Sequence, residues 1–198
     1  MVRVSPGSST KVVGVLALQG AFHSHTKVLS QIGVTCREVR TPQELSTIDA
    51  LVMPGGESTT MSQLLVSFEL YEPIKKLIKE GMPVFGTCAG MILLATKIID
   101  GREDQVSFGA IEIDVQRNAY GRQIDSFEAD ISVKDFSSDF HAVFIRAPRI
   151  VNKSDRVETL AEFDGDIVLA RQKNVLVASF HPELSIDSRV HELFLKEI

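Results

Sequence analysis

Two short segments of this 198-residue chain carry residue types that do covalent chemistry together. The first is Gly86-Thr87-Cys88-Ala89-Gly90, set between an apolar strand-like run and an apolar helix-like run. A nucleophile flanked by glycines at these positions is the pattern of a nucleophile elbow, here with cysteine in place of serine. The glycines let the chain turn sharply and leave room beside the side chain. A sulfur at a helix N-terminus meets partial positive charge, which favours the reactive thiolate. The N–H of Ala89 would face the point where an oxyanion develops. Free cysteines are more often small buried hydrophobes. That reading is kept for Cys36; the glycine-flanked elbow reverses it for Cys88.

The second segment, Phe180-His181-Pro182-Glu183, ends the apolar run Val175–Phe180. Pro182 cannot donate a ladder hydrogen bond and is expected to stop the strand. If the chain stays extended there, residues two apart face one side. Glu183 would then meet His181, orient its imidazole and stabilise its charged form. His181 would take the thiol proton and later protonate a leaving group. A strand-end histidine beside a solvated glutamate is the plain alternative, and the local motif leaves the two even. Both segments fall at predicted strand C-termini, which favours the chemical reading.

A third segment, Pro54-Gly55-Gly56-Glu57-Ser58-Thr59-Thr60, follows another predicted strand. Ser58 or Thr59 is expected to cap the next helix. A backbone N–H of Gly55 or Gly56 would supply a second oxyanion donor. A simple turn or a phosphate cradle remains open. The Gly-Lys-Ser/Thr ending of a P-loop is missing, and so is any G-x-G-x-x-G. Arg117 and Arg146 each follow a predicted strand. An arginine fork matches a carboxylate, although each alone reads as a surface ion-pair residue. His23 and His25 at a helix start, His141 in a polar loop and His191 on the closing helix read as surface or packing residues.

The elements that must position these groups are legible in the apolar pattern. Val12–Leu18 reads as a strand buried on both faces. Ala21–Ile32 reads as a helix with His25, Val28, Leu29 and Ile32 on one face, stopped at Gly33. Strands Val34–Val39 and Asp49–Met53, helices Ser58–Val66 and Tyr71–Glu80, strand Pro83–Thr87 and an all-apolar helix Ala89–Ile98 follow. The second half is richer in strands: Ile111–Gln116, Phe127–Val133, Ala142–Ile145, Val157–Phe163, Ile167–Arg171 and Val175–Phe180. A helix over Ile186–Ile198 closes the chain. Strand–helix alternation followed by mostly strands predicts an α/β fold. The expected form is a flavodoxin-like three-layer sandwich, with a mostly parallel central sheet, helices on both faces and an antiparallel extension. Ligands of such sheets bind at the carboxyl ends of the strands.

Composition narrows the classes. Net charge is −5 (21 basic, 26 acidic), 44% of residues are apolar and 24% charged. That balance is ordinary for a globular chain and shows no electrostatic footprint for nucleic acid. No apolar run approaches the roughly 20 residues that span a bilayer. A chain of this length fits one domain, 12–198, that buries roughly 70% of its unfolded surface. Residues 1–11 are polar, rich in Ser, Gly and Pro, lack an apolar signal core and read as a disordered tail. Two distant cysteines make neither a disulfide framework nor a paired-ligand metal pattern. A reducing cytoplasm is the expected setting.

The elbow together with Phe180-His181-Pro182-Glu183 resembles the class I, triad-type glutamine amidotransferases. Five further stretches are similar to the family of glutaminase subunits of pyridoxal 5′-phosphate synthase: Gly14-Val15-Leu16-Ala17-Leu18-Gln19-Gly20-Ala21, Pro54–Met61, Arg117–Gln123, Asp125–Asp130 and Phe144-Ile145-Arg146-Ala147-Pro148. The resemblance runs from about Val12 to the C-terminus and shows no departure at a motif position. It implies a Cys88–His181–Glu183 triad. It implies glutamine contacts at Gly56, Glu57, Ser58, Arg117, Ile145 and Arg146, and oxyanion donors at Gly55, Gly56 and Ala89. Gln19 falls in a segment that, in the family, helps form the partner interface. The implied partner is a (β/α)₈-barrel synthase in a complex of twelve and up to twelve subunits, which activates the glutaminase on docking. No metal or organic cofactor is implied, because pyridoxal phosphate would be the product of the complex. A glutaminase serving another pathway, such as histidine biosynthesis, a non-catalytic binding module on the same fold, and a partner-independent cysteine hydrolase are the competing readings.

Overall fold

The computed structural model describes residues 11–117 and 126–198; residues 1–10 of the tail and residues 118–125, which include most of the Arg117–Gln123 stretch, lie outside the described residues. The chain runs β1 (Val12–Leu16), α1 (Phe22–Gln31), β2 (Thr35–Val39), α2 (Pro42–Leu45), β3 (Ala50–Met53), α3 (Ser58–Ser67), α4 (Tyr71–Lys79), β4 (Val84–Thr87) and α5 (Ala89–Leu94). It continues with β5 (Ala95–Ile98), β6 (Ile111–Gln116), β7 (Ser126–Ile131), β8 (Phe140–Ile145), β9 (Arg149–Lys153), β10 (Glu158–Phe163), β11 (Asp166–Gln172) and β12 (Val175–Ala178), then a 3₁₀ turn (Pro182–Leu184) and α6 (Arg189–Leu195).

Among the described residues the main sheet has the order β10-β11-β12-β4-β3-β1-β2. Strands β2, β1, β3, β4 and β12 are parallel, and β11 and β10 add the antiparallel extension. With β12 in the fifth place, the parallel part has the flavodoxin-like order 2-1-3-4-5. The expected fold class is therefore the one observed. Successive side chains of a strand point to opposite faces, and the two cores show it. Leu16, Leu51 and Met53 pack with α3, α4 and α5 on one face. Val13, Val15, Ala50 and Val52 pack with α1 and α6 on the other. The small sheet β5-β6-β9 covers the first face, and the hairpin β7-β8 covers the second.

Four elements depart from the sequence reading. The helix expected over Ala89–Ile98 stops at Leu94, and Ala95–Ile98 pairs with β6 instead. Its β-branched Thr96 and Ile98 suit a strand, and that partner is invisible to local periodicity. The short α2 went unread, although Thr41 and Glu44 form a capping box around Pro42. Strand β9 likewise went unread; its pairing is with β6, 33 or more residues earlier in the chain. The closing helix is shorter than Ile186–Ile198. Asp187 takes the Arg189 N–H at 3.0 Å, Ile186 is fully exposed, and the last turn tightens to i→i−3 bonds.

The chain must pack closely where β3, β4 and α5 meet. A Cβ on Gly90 would lie 2.1 Å from the Met53 carbonyl oxygen, and one on Gly86 would lie 2.7 Å from the Gly90 carbonyl carbon. Both obstacles are backbone, so neither can swing aside. Gly90→Ala is expected to cost at least about 1–3 kcal/mol, the usual penalty of overpacking. A urea unfolding midpoint unchanged from wild type would contradict this packing.

Candidate active site

The loops after β1, β3, β4 and β12 converge at one edge of the parallel sheet. They enclose a cavity of about 360 Å³, within the ~300–1,000 Å³ typical of small-molecule sites. Gly55, Gly56, Glu57, Ser58, Cys88, Arg117, Ile145, Arg146 and His181 line it. The structure thus gathers these candidates at one place. Gly20, Ala21 and Ile92 also line the cavity, and sequence reasoning had not singled them out. Glu183 sits behind His181, Gln19 behind the Gly56–Glu57 peptide, and Ala89 is buried at the first position of α5.

Cys88 occupies the N-cap of α5 with φ 50 and ψ −104. This positive φ on a non-glycine residue is the strain expected of a nucleophile elbow. Its N–H donates to the Ala178 carbonyl at 2.8 Å, which ties the elbow to β12. Its Sγ lies 4.0 Å from the Ile145 carbonyl and meets the His181 side chain.

His181 and Glu183 meet, but not through an extended chain. Pro182 begins a 3₁₀ turn, and the turn folds the carboxylate back until Oε1 lies 2.7 Å from His181 Nδ1. The His181 N–H is held by the Val143 carbonyl at 2.8 Å, which fixes the residue from β8. Burial alone would lower the His181 pKa. Hydrogen bonds to Cys88 and Glu183, and then their charges, outweigh it and raise the imidazole to about 10. Burial likewise opposes ionisation of Glu183, yet His25 and then His181 hold its carboxyl below the ordinary range. An imidazolium between a sulfur and a carboxylate is what nucleophile activation requires.

The Gly55 carbonyl accepts the Ala21 N–H at 3.1 Å. In a trans peptide the N–H lies opposite the carbonyl, so the Gly56 N–H points away from Ala21. Gly55 itself abuts the candidate pair: a Cβ there would lie 2.4 Å from His181 Cε1 and 3.3 Å from Cys88 Cβ. Gln19 Oε1 accepts the Glu57 N–H at 2.9 Å and pins the loop from β1. Neither Ser58 nor Thr59 caps α3. Glu57 does, accepting from the N–H groups of Thr59 (3.0 Å) and Thr60 (2.6 Å), because its longer side chain reaches back to two orphan donors. Burial would raise the Glu57 pKa, but these bonds dominate and bring it to about 2.

The Arg117 fork bonds Glu57 Oε1 at 3.3 Å and Gln105 Oε1 at 3.2 Å, and Gln105 donates to Ser58 Oγ at 3.1 Å. Gln105 was missed because it lies in a loop with no pattern to mark it. Arg146 follows β8 with φ 43. Among the described residues no cluster suited to a metal ion occurs, and no helix is long and apolar enough to cross a membrane.

His25 was read only as surface or packing. It is fully buried, with Nε2 3.3 Å from Glu183 Oε2 and 3.1 Å from Thr87 Oγ1, and Nδ1 3.0 Å from His191 Nε2. The signal in the sequence was a histidine on the apolar face of α1, with Val28 and Leu29.

The sequence pattern of the SNO glutamine amidotransferase family matches residues 15–198. The chain belongs to this family. It is 53% identical over 186 residues to the pyridoxal 5′-phosphate synthase subunit PdxT of Thermosipho africanus, covering 94% of this chain and 98% of that relative. It is 54% identical over 186 residues to PdxT of Herpetosiphon aurantiacus, covering 92% and 98%. A crystal structure of a glutamine amidotransferase superposes with a TM-score of 0.88 at 45% identity, covering 93% of this chain and 97% of the other. PurLQS from Thermotoga maritima, at 16% identity and a TM-score of 0.67, shares the fold.

This amidotransferase domain buries two further histidines in uncharged form. Burial lowers His25, and burial together with His25 lowers His191 to about 3. Unfolded histidine titrates near 6.5, so between pH 6.5 and about 3 the unfolded chain binds more protons than the folded one at His191. Stability must fall as pH drops through that window, by about 1.4 kcal/mol per pH unit for a single such group. His191→Leu is expected to lose less stability than wild type between pH 7 and pH 5 in urea melts. An equal loss would show that His191 is charged in the fold.

Proposed function

We propose that this chain is the glutaminase subunit of a pyridoxal 5′-phosphate synthase. It hydrolyses L-glutamine to L-glutamate and ammonia and delivers the ammonia to a synthase subunit for pyridoxal 5′-phosphate formation. One observation carries the mechanism: Cys88, on a positive-φ elbow, meets a His181 oriented by a buried Glu183, and Cys88 and His181 stand at the wall of the cavity with Glu183 behind them. The Cys88 thiolate attacks the side-chain amide carbon of glutamine. The oxyanion rests on the Ala89 N–H and an N–H of the Gly55-Gly56 loop. His181 protonates the departing ammonia, and water then cleaves the thioester to release glutamate. Gly56, Glu57 and Ser58, with Arg117, Ile145 and Arg146, hold the amino-acid end of the substrate.

The partner in this reading is a (β/α)₈-barrel synthase in a twelve-plus-twelve complex. Gln19, next to the Glu57 loop, lies at the interface that activates the site, and the reducing cytoplasm is the compartment. The names of the relatives and the triad geometry support the reading together.

Glutamate release from glutamine, measured with and without a pyridoxal 5′-phosphate synthase subunit, tests it. Release is expected to rise on adding the synthase and to vanish in Cys88→Ala, which keeps glutamine binding. Turnover retained in that variant would exclude Cys88 as nucleophile. Gly55→Ala, whose Cβ would displace His181, is expected to lower kcat at least tenfold, about 1.4 kcal/mol of activation barrier. A wild-type kcat would remove Gly55 from the site.

A further inference from the structure

Behind Cys88, His181 and Glu183 lies a buried polar cluster to which the reaction above gives no task. Glu183 spends Oε1 on His181, while Oε2 is buried without a well-formed hydrogen bond. His25 Nε2 faces that oxygen at 3.3 Å and also reaches Thr87, the residue before the nucleophile. Its other nitrogen meets His191 Nε2, and His191 Nδ1 has no hydrogen-bond partner among the described residues. Phe85 packs edge-on against both rings and keeps the cluster apolar around its rim.

Two proton arrangements satisfy the His25–His191 contact. In one, His25 carries its proton on Nδ1 and donates to His191. It then turns a lone pair on the Glu183 carboxylate, and the His191 proton must sit on Nδ1 as a buried donor with nothing to bond. In the other, His191 Nε2–H donates to His25 Nδ1, and the His25 Nε2–H donates to Thr87 Oγ1 with Glu183 Oε2 beside it at 3.3 Å. That arrangement leaves only a bare lone pair at His191 Nδ1. It avoids both the repulsion and the orphaned donor, so it is the stable one.

We propose that His25 is a positioning residue of the glutaminase site: its Nε2–H, set in that tautomer by His191, clamps Glu183 Oε2 to the Thr87 hydroxyl beside the elbow and so fixes the carboxylate that orients His181. The proposal rests on the triad reading above. Burial keeps both rings neutral, so His25 offers Glu183 a polar N–H and not a full charge. The titratable groups facing His25 are Glu183, His181 and His191; those facing His191 are His25 and Glu183.

The test compares His25→Leu, which removes the donor, with His25→Gln, which returns an amide N–H near the Nε2 position, both assayed for glutamate release with the synthase subunit. In His25→Leu, kcat is expected to fall roughly 10- to 100-fold, as when other groups that orient a reacting side chain are lost, with KM for glutamine changed less than about threefold. A carboxylate that loses a donor takes up a proton more readily, so the acid limb of the kcat profile should move to higher pH. His25→Gln should restore both. An acid limb that stays in place, or equal impairment in the two variants, would overturn the clamp. Should His25→Leu fail to fold, imidazole ¹⁵N spectra of the wild-type chain decide it: neutral Nε2–H rings at both His25 and His191 are expected, and an Nδ1–H tautomer at His25 rejects the proposal. If the wild-type complex releases no glutamate, the function reading fails, while the tautomer still settles the clamp by itself.

Discussion

The close backbone approach of Gly90 to the Met53 carbonyl is the constraint around which the site is built. It lets α5 start immediately after β4, with no room for a looser turn. Cys88 must then take a positive φ, a conformation costing of order 1–3 kcal/mol that persists only when its surroundings over-determine it. They do: the Cys88 N–H is bonded to β12, and α5 is buried on all sides. With β3, β4 and β12 locked together there, the loops that leave them have nowhere to go but toward one another.

Around Glu183, one residue type is driven in opposite directions by its partners. His181 is buried too, though at the cavity wall, and desolvation opposes its charge. It nevertheless gains protons, because a sulfur and a carboxylate flank it. His191 meets only another imidazole and loses them. His25 stands between these extremes. It touches the carboxylate through one nitrogen and a second histidine through the other. The buried carboxylate separates a charge-bearing imidazole on the cavity side from a neutral pair in the core. A single anion shared in this way is stable because its oxygens face nitrogen donors on both sides.

The wall opposite Cys88 is built differently, from mutually holding polar groups near solvent. Gln19 from the end of β1 holds the Glu57 backbone, Glu57 caps α3 and pairs with Arg117, and Arg117 and Ser58 share Gln105. Glu57, Ser58 and Arg117 face the cavity, and Gln19 and Gln105 hold them from behind. A change at one of them therefore alters the shape of the wall along with its charge.

The local features were legible in the chain itself. Buried parallel strands announced themselves as apolar runs, and glycines on either side of Cys88 marked an elbow. A histidine and a glutamate beside a proline marked a strand end with chemistry, since steric and hydrogen-bonding limits on Gly and Pro act within a few residues. Features that depend on distant partners were not legible. Ala95–Ile98 is a strand because β6 lies alongside it. Glu183 reaches His181 through a 3₁₀ turn and not an extended chain. Gln105 joins the site across a loop, and His25 looked like any histidine on the apolar face of a helix. The sequence by itself determined which residues could turn, cap, pack or react. Only the tertiary structure decided that His25, Thr87, Glu183 and His191, up to 166 residues apart, share one buried cluster, because hydrogen bonds and desolvation there are set by neighbours that no local pattern encodes.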